Sequence, residues 1–89
     1  MKRIHLFIYG NVTGVFFRAN TQDKAISLGL NGFIKNIEQG KVEAVFEGSK
    51  SSIKEIIKFC KNPGFTNINK VEVKEESYKG EFNNFEIVY

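Results

Sequence analysis

Tyr9-Gly10-Asn11-Val12-Thr13-Gly14-Val15-Phe16-Phe17-Arg18 decides how the rest of the chain is read. It starts at the end of an apolar run and stops where a helical pattern begins. Gly10 and Gly14 let the backbone turn tightly, because a residue without Cβ takes φ > 0 at little steric cost. A strand that passes through such a loop into a helix turns several backbone N–H groups one way. The helix N-terminus adds unpaired donors and a partial positive charge. Together these make a nest for a phosphate-like anion. Arg18 stands in the first helical turn, where its planar fork can close over the same anion with bidentate hydrogen bonds. A Gly-x-x-x-Gly loop before an arginine is also a common connection with no ligand, so its context has to decide.

Upstream, residues 2–9 alternate, with Ile4, Leu6 and Ile8 on one side and His5, Phe7 and Tyr9 on the other, as in a strand. Downstream, residues 17–28 read as a helix whose apolar positions are Ala25, Ile26 and Leu28. The stripe is weak, and Gly29 supplies the stop as the left-handed residue after the last turn, with Leu30 packing back. Residues 32–38 and 41–47 read as two strands joined by a turn at Gln39-Gly40, which makes a hairpin. Val42, Ala44 and Phe46 share one face of the second of these. Ser52 and Glu55 have the spacing of a capping box. Ile53, Ile56, Ile57 and Cys60 then form the clearest helical stripe in the chain, stopped by Asn62-Pro63-Gly64. Residues 68–76 read as a strand with Ile68, Val71 and Val73, and Phe85, Ile87 and Tyr89 as a short last one.

The order is β-α-β-β-α-β with an extra strand. The expected fold is α+β, a ferredoxin-like sandwich with an antiparallel sheet, two helices on one face and a short extra C-terminal strand. In that arrangement the strand ending near Asn36 runs parallel to the first strand, one strand away. Asn36 is therefore placed at the end of the sheet where the glycine loop lies.

An 89-residue chain implies a single domain over residues 1–89, with a modest core. No long apolar run, low-complexity tract or internal repeat occurs, so no membrane span is expected. The apolar run from Ile4 to Tyr9 is too short for a signal sequence and is interrupted by His5, so no export signal is expected. A lone cysteine, Cys60, excludes an internal disulfide and fits a reducing, cytoplasmic setting. The net charge of 13 − 10 = +3 mildly favours an anionic ligand. It does not argue for nucleic acid, because the lysines are scattered among glutamates.

Nucleophiles and metal ligands are scarce. Cys60 lies on the apolar stripe and reads as a buried small hydrophobe. His5 is the single histidine, so a Cys-His pair would have to be His5 with Cys60, and no motif supports it. His5 itself reads as a partly covered sheet residue. No metal-ligand spacing occurs. Chemistry here has to come from positioning and electrostatics. Asparagine before a turn is commonplace. Beside an anion loop, however, the Asn36 amide can accept a hydrogen bond from water and donate one to an oxygen.

Several segments together carry a resemblance: residues 10–18, then Leu28-Gly29-Leu30-Asn31-Gly32-Phe33-Ile34-Lys35-Asn36, then Gly40-Lys41-Val42-Glu43 and Glu47-Gly48. The sequence resembles the acylphosphatases over essentially its whole length. The resemblance implies hydrolysis of the carboxyl-phosphate bond of acyl phosphates without a metal or cofactor. It implies that the phosphoryl group is held by the amides of Asn11, Val12, Thr13, Gly14, Val15, Phe16 and Phe17 together with Arg18. It further implies that Asn36 orients the attacking water. The expected partners are a small acyl phosphate and inorganic phosphate, as product or inhibitor, with a monomer and neither nucleic acid nor membrane. Thr13 stands where the family usually has Gln, Phe33 where Trp is usual, and Pro63-Gly64 inverts a usual Gly-Pro. Two rivals are an acylphosphatase-like binding or regulatory module and a ferredoxin-like RNA-binding module. Against the second stand Glu43 and Glu47 on the third strand, and the lack of its Gly-aromatic motif.

Overall fold

The computed structural model describes residues 1–12 and 14–89; Thr13 lies outside the described residues. The elements are β1 (Lys2–Gly10), α1 (Val15–Ser27), β2 (Asn31–Glu38), β3 (Lys41–Gly48), α2 (Lys50–Lys61), β4 (Ile68–Glu76) and β5 (Phe85–Val88). They form one sheet in the order β4-β1-β3-β2-β5. β1 is antiparallel to β3 and β4, and β2 is antiparallel to β3. β1 and β2 therefore run parallel with β3 between them, as the expected topology requires.

The sheet is mixed rather than antiparallel throughout, because β5 pairs with β2 in parallel. To reach that edge from β4 at the other, residues 77–84 must traverse the width of the sheet. A tight hairpin cannot do this, and β5 arrives in the same direction as β2.

The core follows from the period-two pattern. Ile4, Leu6 and Ile8 stand opposite Phe46, Ala44 and Val42, and all six are buried on one face. Both helices pack there, α1 through Phe17 and Ala25 and α2 through Ile53, Ile56 and Cys60. Burying the Val, Leu, Ile and Phe side chains among these contributes about 1.5–3 kcal/mol each. α1 starts at Val15, two residues earlier than its sequence suggests, and Ile26 proves to be exposed. Gly29 closes it with φ 71°, and Leu30 packs into the core. α2 is capped by Ser49, whose hydroxyl accepts from the Ser52 N–H at 3.2 Å, not by Ser52. The Ser52 hydroxyl instead donates to the Leu28 carbonyl at 2.7 Å and ties α2 to the end of α1.

The other face of the sheet buries charge. Arg3 reaches Glu47 at 3.1 Å, Glu76 at 2.9 Å and Glu81 at 2.6 Å, and its guanidinium lies over the Phe82 ring. Glu47, 3% exposed, also accepts from the N–H groups of Lys79 and Gly80. Burial pushes its pKa up, but those amides and Arg3 outweigh burial and hold the carboxyl below its usual range. A buried carboxylate so furnished with donors anchors the long connection that crosses to β5.

Candidate active site

The loop after β1 is built into the scaffold through backbone bonds. Gly10 donates to the Gly40 carbonyl, Asn11 to the Asn67 carbonyl at 3.1 Å, and Val12 to the Gly10 carbonyl at 2.9 Å. The Thr66 hydroxyl donates to the Asn11 carbonyl at 2.8 Å. Val12 is fully buried and pins the loop from beneath. Gly10 has φ 144°, and a Cβ there would meet the Asn67 carbonyl oxygen at 2.5 Å, so only glycine allows this approach.

Two sequence expectations change. Gly14 is not left-handed: it is the N-cap of α1 with φ −72°, and a Cβ on it would meet nothing within 4 Å. In addition, the Asn11 and Val12 amides are already engaged, so those two residues serve as scaffold rather than as free donors. Among the described residues, further donors lie at the N-cap Gly14 and in the first turn of α1. Helix geometry leaves the amides of Val15, Phe16 and Phe17 without an intrahelical partner, and among the described residues no side chain caps them. The N-terminal end of the helix dipole adds partial positive charge at the same point.

Arg18 follows directly in that turn. It is 8% exposed, and its Nε is buried without a hydrogen-bond partner. Among the described residues it makes no ion pair. Its guanidinium lies 5.3 Å from the centre of the Tyr89 ring, a cation–π contact. Buried polar groups are normally satisfied, and an unpaired donor on a cation is costly. A cationic fork with a spare donor, beside uncapped helix amides, is chemically suited to an oxyanion with several acceptor oxygens.

Asn36 is exposed on β2, opposite Val42, which is itself opposite Ile8 near the end of β1. It shares strand parity with Ile34 and so belongs to the helix-bearing face. A register shift between Asn36 and Glu38 ends the regular pairing there. Tyr89 follows Val88, the partner of Lys35, so the ring that meets Arg18 begins next to Asn36 in the sheet. The topology thus brings the loop, Arg18 and Asn36 to one corner of the sandwich. Sequence reading missed Tyr89, which appeared only as a strand residue, and the stitching of Thr66 and Asn67 to the loop.

The other candidates lie elsewhere. Cys60 is fully buried, and burial pushes its thiol up to about 12. His5 stands on the opposite face between Glu43 at 2.6 Å and Glu76 at 3.3 Å. That face also carries Glu72, which accepts from the Tyr9 hydroxyl at 2.6 Å. Among the described residues no three His, Cys, Asp or Glu side chains are grouped to hold a metal ion, and no helix is long and apolar enough to cross a membrane.

Comparison with known proteins gives the family and the fold. Residues 4–87 match the family model for acylphosphatase. An acylphosphatase of Syntrophus aciditrophicus is 42% identical, covering 100% of this chain and 94% of the relative. One from Syntrophobacter fumaroxidans is 43% identical over 99% of this chain and 92% of its own length. The crystal structure of the Bacillus subtilis acylphosphatase superposes with a TM-score of 0.92 at 30% identity, covering 100% of both chains. The family model, the full-length relatives and the shared fold converge on one assignment, and this chain belongs to the acylphosphatase family.

Proposed function

We propose that this chain is an acylphosphatase that acts as a single domain over residues 1–89, cleaving small acyl phosphates to a carboxylate and inorganic phosphate. The observation that carries the site assignment is Arg18, a nearly buried cation with an unpartnered Nε at the uncapped start of α1. The phosphoryl oxygens accept from the amides of Gly14, Val15, Phe16 and Phe17 and from the guanidinium. Charge is thereby stabilised where it develops, in a setting that needs no reorganisation. Asn36 holds a water on the adjacent side for in-line attack on phosphorus. The new P–O bond forms as the bond to the carboxylate oxygen breaks. The electron pair leaves with the carboxylate, and a phosphoryl oxygen takes the proton of the water. A carboxylate is a good leaving group, so positioning suffices and no side-chain base is called for. The reading uses no metal or cofactor. It places the chain in the cytoplasm as a monomer, supported by its lone buried cysteine and by all the proposed groups lying on one chain.

The test is phosphate release from acetyl phosphate by the purified chain, with and without a chelator, in water enriched in 18O. Label is expected in the phosphate, and turnover should survive the chelator. Label in the carboxylate would mean attack at carbon and would overturn the mechanism. Activity that depends on added metal would overturn the cofactor-free reading.

A further inference from the structure

Asn11 is the first residue beyond β1, and one neighbouring segment takes both its N–H and its carbonyl. The N–H donates to the Asn67 carbonyl at 3.1 Å. The carbonyl accepts from the Thr66 hydroxyl at 2.8 Å. The β1–β4 ladder runs out just before this point, at Gly10 and Ile68, after a register shift between Tyr9 and Gly10. A carbonyl past the end of a ladder has no strand amide to accept from and must find another donor. Thr66 supplies that donor from a side chain. The contact therefore depends on residue type, whereas the backbone contact of Asn67 does not.

The direction of that carbonyl matters to an anion site. The same peptide unit carries the Val12 N–H, which donates to the Gly10 carbonyl at 2.9 Å. That bond closes only a three-residue turn. The Thr66 hydroxyl is the contact that ties this peptide unit to a distant part of the chain, 55 positions away. A few residues further on stand the uncapped start of α1 and the unpartnered Nε of Arg18. A carbonyl oxygen is the negative end of a peptide dipole. Turned toward those donors, it would repel a phosphoryl group and compete with it for the same N–H groups.

We infer that Thr66 is a positioning residue for the reaction: its hydroxyl holds the Asn11 carbonyl off the anion site and keeps the loop in its phosphate-accepting form. This rests on the acyl phosphate reading above. Without the hydroxyl, the loop divides between that form and one in which the carbonyl takes up donors meant for the anion. Apparent affinity then falls in proportion to the fraction of chains still in the accepting form. Saturating substrate draws the loop back to that form, so kcat is kept. The signature is a rise in phosphate Kd and in KM by the same factor, with kcat preserved.

The experiment compares the parent, Thr66→Val and Thr66→Ser. Each is titrated with inorganic phosphate at equilibrium, assayed for kcat and KM with acetyl phosphate, and melted without ligand. Valine keeps the branched shape and removes the donor. In Thr66→Val, Kd and KM should rise about tenfold, the scale of one ordinary hydrogen bond. Its kcat and Tm should stay close to those of the parent, because Thr66 is only partly buried and water can replace the lost donor. Thr66→Ser keeps the hydroxyl and should restore the parental Kd and KM. An unchanged phosphate Kd in Thr66→Val overturns the inference. So does a serine variant as weak as the valine variant, because the methyl group would then be what matters. A Tm and a kcat that fall together in Thr66→Val would make Thr66 a general support of the loop and also overturn it. A parent that binds phosphate yet leaves acetyl phosphate intact refutes the proposed function, whereas an active parent with an unchanged Kd in Thr66→Val refutes this inference alone. A parent that binds no phosphate refutes the anion site and this inference with it.

Discussion

Replacing Arg18 with methionine should abolish activity while leaving the fold as stable as before or more so. Arg18 is 8% exposed, with a buried Nε that has no partner. Leaving such a donor unsatisfied costs about 1–3 kcal/mol. Its compensating contact is the guanidinium over Tyr89 at 5.3 Å, worth about 0.5–2 kcal/mol. Methionine removes both, keeps a long apolar stem, and matches arginine in helix propensity. Taking mid-range values, the variant gains about 1 kcal/mol, or a rise in Tm of about 4–8 °C for a domain of this size. Turnover should meanwhile drop by about a thousandfold, since a charge-stabilising donor of the transition state is gone. The assay is a pair of thermal melts, with and without saturating phosphate, beside kcat. Phosphate at a hundred times its Kd should stabilise the parent by about 2.7 kcal/mol and the variant by far less. A Tm that falls by more than about 10 °C would make Arg18 a structural residue. A phosphate shift equal to that of the parent would take it out of the anion site. Either result refutes the reasoning.

Arg18→Lys keeps the charge without the fork and should be about a hundredfold slower while remaining folded; near-native turnover would rule out bidentate clamping. Asn36→Ala should lower kcat by about 10²–10³ with phosphate affinity retained, and phosphate binding as weak as that of Arg18→Met would make Asn36 a phosphate ligand instead of a water holder. Glu47→Gln should cost about 2–3 kcal/mol, read as a lowered urea midpoint, because Arg3 and two amides lose a charged acceptor. The carboxyl of Glu47 is held below its ordinary value of 4.5. The stability it contributes is therefore complete above about pH 4.5 and is lost as pH falls through the lowered value, since the unfolded chain binds the proton first. Stability should decline on that acid side in the parent and decline less in Glu47→Gln; parallel acid limbs would refute the assignment. Gly10→Ala should destabilise by about 2 kcal/mol or more, given its positive φ and the Asn67 carbonyl in the way, and a stable, active variant would show that the loop does not need that approach.

The parts of the fold legible in the sequence are those in which one physical demand set the pattern. β1 alternates because one of its faces is core, and the Ile53-Ile56-Cys60 stripe appears because α2 buries only apolar side chains from its middle turns. Local signals failed where a distant partner decided. Ser49 takes the cap that Ser52 promised, because the Ser52 hydroxyl is drawn to Leu28 in another element. β5 is parallel because the crossing connection is held by Arg3 and Glu47, which lie 44 positions apart. The amides of Asn11 and Val12 are consumed by Asn67 and Gly10, which no loop motif announces.

The weak signal of α1 has a different origin, and it joins fold to function. Its buried residues are Phe17, Arg18, Thr21 and Ala25. Thr21 is accommodated by donating its hydroxyl to the Phe17 carbonyl at 2.9 Å. Arg18 is not accommodated in this way, because its Nε has no partner. Half of the buried face of the helix is therefore polar, and the amphipathic period fades in the turns nearest the loop. An ordinary core helix would place an apolar residue at position 18 and gain stability. Keeping a cation there is a local cost that the contact with the Tyr89 ring offsets only in part. Such conflicts between local rule and observed residue are expected where a site has to meet a ligand. The irregularity that obscured α1 in the sequence is thus the same feature on which the proposed anion site rests. If so, substitutions that restore the period at position 18 should trade activity for stability, whereas apolar substitutions at exposed Ile26 on the same helix should change neither.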